Sequence, residues 1–202
     1  MGFGNLTDVV KNLLIINVIM FIGGSILMKT FGSSGEMLAL QYHPEYFRPY
    51  QIVTHMFMHA NLTHLFFNMF AVFMFGPILE TTWGSKRFLI YYFFTAFGAL
   101  ALHTLVSYFI NGSFEAMGGV LGASGAVFGL LLGFGVYYPN NVIQLLIPPI
   151  PIKAKYFVMI YAALELYLGF SNFNSGIAHF AHLGGALFGL IMIWGWRMQG
   201  RH

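Results

Sequence analysis

Gly122-Ala123-Ser124-Gly125 and Ala181-His182-Leu183-Gly184-Gly185, with Gly189 four residues further on, are the stretches whose reading decides this chain. Each puts one catalytically capable polar side chain at the start of an apolar, glycine-rich run. An ionisable residue in such a run is costly and usually marks a functional site or a paired contact. Serine and histidine together make a nucleophile and its base.

Composition sets the medium. Of 202 residues, 58% are hydrophobic and 7% charged, with a mean hydropathy of +0.73. Soluble domains carry about 25% charged residues, so this chain has too few to cover a surface facing water. It reads as an all-α polytopic membrane protein. The net charge of +3 comes from nine basic residues whose placement argues topology, and no nucleic-acid partner is expected. The absence of cysteine excludes a disulfide framework and thiolate chemistry.

A membrane helix needs about 20 largely apolar residues. Six runs approach that length: 10–28, 62–79, 88–110, 123–138, 156–170 and 177–196. The first lacks a small-residue cleavage site, so it is expected to be retained as a helix rather than removed as a signal peptide. Between the first two lies a long mixed segment with Pro44 and Pro49, expected to be an outer loop at the membrane interface. With the N-terminus inside, Lys11, Lys86, Arg87, Lys153, Lys155, Arg197 and Arg201 fall on the cytoplasmic side, and Lys29 and Arg48 fall outside. That bias orients the spans and puts both termini in the cytoplasm.

The fourth span is short, about 24 Å at 1.5 Å per residue. The deficit is expected at its outer end, which leaves Ser124 below the outer surface at a helix N-terminus. Irregular backbone at that depth must be lined by protein or by a water-filled cavity.

Alone, Gly-x-Ser-Gly is more often a close helix contact than a catalytic motif, and it is not the Gly-x-Ser-x-Gly elbow of α/β-hydrolases. His182 shifts the balance. Its helix carries Gly185 and Gly189 in a small-xxx-small pattern that permits close approach to a partner helix. If that partner begins at Ser124, imidazole can take the hydroxyl proton. His179 lies three residues before His182 on nearly the same face, and spacing alone does not choose between them. Glu165 is expected near His182 in depth, either as a third catalytic member or, more commonly for a lone membrane glutamate, as a packing residue. His64 and Asn68, at i and i+4, share a helix face, where oxyanion donors and interhelical packing are equally good readings. His55, His59 and His64 are also considered as a metal site, but without His-Glu-x-x-His or a cysteine partner no metal and no other cofactor is expected. His59 is expected to cap or tether the outer loop, and His103 to be a hydrogen-bonded packing residue.

These motifs resemble the rhomboid family of intramembrane serine proteases, in its minimal six-helix bacterial type. The resemblance selects His182 through Ala-His-x-x-Gly-x-x-x-Gly. It implies a Ser124–His182 dyad, with His64, Asn68 and the Ser124 backbone N–H on the oxyanion side. Gly122, Phe128, Glu165, Gly185 and Gly189 are candidate supporting residues. Glu80, Gly84 and Lys86 look like the family's turn after the second helix. Two positions depart from the pattern: Phe128 stands where the best-known bacterial members have tyrosine, and Pro49-Tyr50-Gln51 stands where many carry a Trp-Arg pair.

The resemblance implies one domain over 1–202, a six-transmembrane-helix bundle with a short fourth helix and a long first outer loop. It implies cleavage of transmembrane protein substrates in the lipid bilayer near the outer face, in a bacterial inner membrane. The competing expectation is a non-proteolytic relative that binds or escorts membrane helices. Neither oligomeric state nor substrate identity is legible in the sequence.

Overall fold

A computed structural model describes residues 6–31, 37–145, 149–171 and 178–200. Its long helices are α1 (Asp8–Phe31), α3 (Leu62–Trp83), α4 (Ser85–Asn111), α5 (Ser124–Tyr137), α6 (Ala154–Ser171) and α7 (His179–Met198). The segment between α1 and α3 holds the short α2 (Gln51–Thr54) and a 3-10 turn over His55–Phe57. Strands β1 (Val142–Gln144) and β2 (Pro151–Lys153) pair antiparallel, with Ile143 opposite Ile152. Sequence reading gave no sign of this hairpin.

Local chemistry sets the helix ends. Asn61 caps α3 by accepting the His64 N–H at 2.8 Å. Gly84, at φ 79°, ends α3 and admits α4 directly. Both helices therefore run past the expected limits at 79 and 88. The apolar run stops at Glu80, but the helix does not, because the carboxylate is fully used. It accepts from Thr7 Oγ1 at 2.5 Å, the Val9 and Val10 N–H groups at 3.2 and 3.0 Å, and Ser85 Oγ at 2.7 Å. A buried acid thus occupies the N-terminus of α1, where the helix dipole favours negative charge. The expected start of the last span at 177 lies outside the described residues, and the described helix begins at His179.

Among the described residues, four helices are long and apolar enough to cross a membrane: Asp8–Leu27 within α1, Leu62–Trp83, Ser85–Asn111 and His179–Met198. They turn large apolar side chains outward, among them Ile19 and Ile26 on α1, Phe66 and Phe67 on α3, Phe109 on α4 and Trp194 on α7. Such a surface suits lipid, and the chain is an integral, multi-pass membrane protein. Helix α5, with 14 residues, is shorter still than the expected 123–138. It is buried almost all round, from Gly125 through Leu131, as a helix apolar on every face must be.

Glycine sets how closely α5 is enclosed. A Cβ added at Gly185 would lie 1.9 Å from the Gly125 carbonyl oxygen, and one at Gly125 would lie 2.4 Å from Ala99 Cβ. Tyr91 of α4 threads between the other two helices, donating to the Gly129 carbonyl at 2.7 Å and lying against Gly189. Helices α4, α5 and α7 therefore form a backbone-to-backbone core with no room for a further methyl group at these positions.

Candidate active site

The site begins where α5 begins. Gly122 takes φ 119°, a conformation that L side chains rarely adopt. Its N–H donates to the His55 carbonyl at 2.9 Å, and Leu40 and Val120 bridge antiparallel just before it. These bonds tie the approach to Ser124 onto the outer loop. The first helical bond of α5 runs from the Val127 N–H to the Ala123 carbonyl. The N–H groups of Ser124, Gly125 and Ala126 therefore precede the helical ladder, at the positive end of the dipole. Ser124 itself is half-buried.

The loop is organised around Gln51, which is 1% exposed. Its Oε1 accepts from the Gln41 and Arg48 N–H groups, and its Nε2 donates to the Met37 and Tyr46 carbonyls. Thr54 Oγ1 donates to the Leu38 carbonyl. Gln51 anchors the loop whose His55 carbonyl holds Gly122. Sequence reading saw it only as a departure from the Trp-Arg pattern, because a glutamine that bonds four backbone groups leaves no local signature.

Gly185 lets α7 lie directly on α5, and this brings His182 to Phe128, one turn into α5. The two rings stack at 4.2 Å between centroids and 4° between planes. Tyr161 of α6 stacks on the other side of Phe128, at 5.1 Å and 11°. The phenyl ring thus orients the imidazole by stacking alone and offers no hydroxyl to it. No hydrogen bond joins Ser124 and His182 among the described residues. Hydrogen bonds between catalytic groups are often loose in unliganded sites.

Beyond His182 lies a buried cluster. Glu165 Oε2 stands 2.6 Å from His179 Nδ1 and 3.0 Å from His182 Nδ1. The His179 contact is a well-aligned hydrogen bond. The His182 nitrogen is within reach of the oxygen but off its line, and has no other hydrogen-bond partner. The three donor atoms lie within 4.8 Å of one another. Glu165 is 5% exposed.

His64 of α3 faces Gly122 from the other side. A Cβ at Gly122 would lie 2.8 Å from His64 Cε1 and 3.0 Å from Nε2, while Nδ1 points to the Ala60 N–H at 3.5 Å. Asn68 is buried and gives one amide hydrogen to the His64 carbonyl at 3.1 Å. His64 thus reaches the Ser124 approach directly, whereas Asn68 lies one turn deeper on the same helix.

The other histidines divide. His103 pairs with Ser107 Oγ at 3.4 Å, as a hydrogen-bonded packing residue should. His59 is buried with neither ring nitrogen in an aligned hydrogen bond, and its ring lies edge-on to His64 at 5.0 Å. Burial, with His64 beside it, holds its pKa down at about 4, because the charged form loses its hydration there.

The Rhomboid domain family model matches residues 46–199, a span that includes His64, Asn68, Ser124, Glu165, His179 and His182. Among similar proteins, the putative rhomboid protease YdcA of Bacillus subtilis is 33% identical over 144 residues, covering 71% of this chain and 65% of that protein. Rhomboid-like protein 11, chloroplastic, of Arabidopsis thaliana is 32% identical over 152 residues, covering 72% and 51% respectively. Rhomboid protease AarA of Providencia stuartii is 30% identical over 149 residues, covering 68% and 52%. The chain thus spans between half and two thirds of the length of these relatives. With the match running from the outer loop through the end of α7, the chain belongs to the rhomboid family.

Proposed function

We propose that this protein is an intramembrane serine endopeptidase in which Ser124 is the nucleophile and His182 its base. The observation that carries this reading is the Gly185–Gly125 contact, which sets the His182 helix against the helix that Ser124 begins. The names of relatives such as the putative rhomboid protease of Bacillus subtilis add to it. Ser124 Oγ attacks the scissile carbonyl carbon as its proton passes to His182. The imidazolium then returns that proton to the leaving amine, and water, activated by the same base, hydrolyses the acyl-enzyme. The unladdered N–H groups at the start of α5, with His64 and Asn68, supply donors to the oxyanion. The substrates are transmembrane proteins whose helices unwind near the outer face, since a formed helix hides its carbonyls. The chain acts as one domain over 1–202 with six spans, α5 and α6 completing the four longer helices, and with both termini in the cytoplasm of a bacterial inner membrane.

The test is cleavage of a model membrane substrate together with fluorophosphonate labelling, on wild type, Ser124→Ala, His182→Ala and the double variant. Each single variant should abolish both signals while the protein stays folded in detergent. The double variant should be scarcely worse than either single one, because the pair acts as a unit. A folded wild-type protein that neither cleaves nor labels would instead favour the helix-escort role. Full activity in His182→Ala with loss in His179→Ala would move the base to His179.

A further inference from the structure

We propose that Glu165 is a positioning residue for His182, turning the dyad into a three-membered array across α5, α6 and α7. The inference rests on the Ser124–His182 reading above. His182 Nδ1 is a buried polar atom without an aligned hydrogen bond, and Glu165 Oε2 stands 3.0 Å away. An orphaned buried nitrogen is costly, and the cost rises when His182 takes up the serine proton and becomes imidazolium. Glu80, the other well-buried carboxylate among the described residues, is committed to the start of α1.

Groups around the His182 ring arrive from every neighbouring helix. His64 comes from α3, His103 from α4, Phe128 from α5, Glu165 from α6 with Tyr161 behind Phe128, and His179 from its own helix. Glu165 alone among them can only accept a hydrogen bond once ionised and can carry a negative charge there. The aligned bond from His179 fixes the same oxygen, Oε2, in place. A small rotation of the His182 ring aligns its Nδ1–H with that oxygen. The proton then sits on Nδ1, and Nε2 is left bare to receive the Ser124 proton. The carboxylate stays unprotonated throughout, and no further reactant is needed.

The spacing suits hydrogen bonds better than a shared metal ion. With metal–ligand bonds of about 2.0–2.2 Å, donor atoms only 2.6 Å apart would subtend far less than a tetrahedral angle.

The experiment compares wild type with Glu165→Gln, whose amide can present N–H to Nδ1 and trap the wrong tautomer. Expected are a kcat per folded molecule lower by about 10²-fold or more, KM within threefold of wild type, and slower fluorophosphonate labelling. A Glu165→Gln protein that is less stable but turns over at the wild-type rate per folded molecule would overturn the proposal. The second measurement leaves Glu165 intact and so stands even if that variant fails to fold. Nitrogen-15 NMR of histidine-labelled protein, with the His182 signals assigned by their loss in His182→Gln, should report an Nδ1–H, bare-Nε2 ring. An Nε2–H ring would overturn the proposal. Ser124→Ala and His182→Ala, run alongside, separate the two failures. If either keeps activity, the dyad reading falls. If both are inactive while Glu165→Gln is not, only the positioning role falls.

Discussion

Replacing Gly185 by alanine tests whether the α5–α7 contact sets the geometry of the site. The new Cβ would lie 1.9 Å from the Gly125 carbonyl oxygen and 2.8 Å from its carbon. Both are backbone atoms, so no side chain can rotate away. Restoring ordinary contact requires the helices to part by roughly 1.5 Å at that level, an overpacking that costs about 1–3 kcal/mol. The displacement falls between the start of α5, which carries Ser124, and the first turn of α7, which carries His182. Misplacing reacting groups by ~1 Å costs about 10²-fold in rate, so turnover per folded molecule should fall at least that far. Gly195→Ala is the internal control: it lies on the same helix, and a Cβ there meets nothing within 4 Å. Both variants would be purified in detergent and measured for thermal unfolding, for fluorophosphonate labelling and for cleavage of a model membrane substrate. Wild-type stability together with wild-type turnover in Gly185→Ala would refute the reasoning.

Asn68→Ala should lower kcat by about 10²–10³-fold with little change in KM, the usual loss for one oxyanion donor; a fall in stability alone, with the rate per folded molecule intact, would leave Asn68 as a packing residue. Glu80→Ala removes the acceptor of four hydrogen bonds from α1, the residue before it and the start of α4, and should destabilise by about 2–4 kcal/mol, orphaned donors included. Thermal unfolding reads the Glu80 effect, and an unchanged midpoint would contradict it. His59, depressed to about 4 in the folded state from ~6.5 unfolded, contributes stability that is fully present above about pH 6.5. That stability is lost as pH falls toward 4, by about 1.4 kcal/mol per pH unit while only the unfolded chain takes the proton. His59→Phe should flatten the fall in melting temperature between pH 6.5 and 4.5, and an unaltered pH profile would show that other groups carry it.

The sequence by itself determined the solvent of this protein and the residues to watch. A chain with 7% charged residues has no way to face water, and apolar runs of fixed length follow from the thickness of a bilayer. Ser124 and His182 stood out because polar side chains in such runs are costly. Gly185 and Gly189 stood out because small residues four apart are a local pattern. Where the reading stopped short, the reason was distance along the chain. The third helix runs through Glu80 because that carboxylate is satisfied by Thr7, Val9 and Val10, some seventy residues away. Gln51 organises the outer loop through bonds to backbone groups that no periodicity records. Glu165 could be placed near His182 in depth from helix lengths. That its Oε2 lies between His179 and His182 depends on how α6 and α7 rotate about their own axes. Burial of side chains at the helix crossings sets that rotation, and it exists only once the bundle has closed.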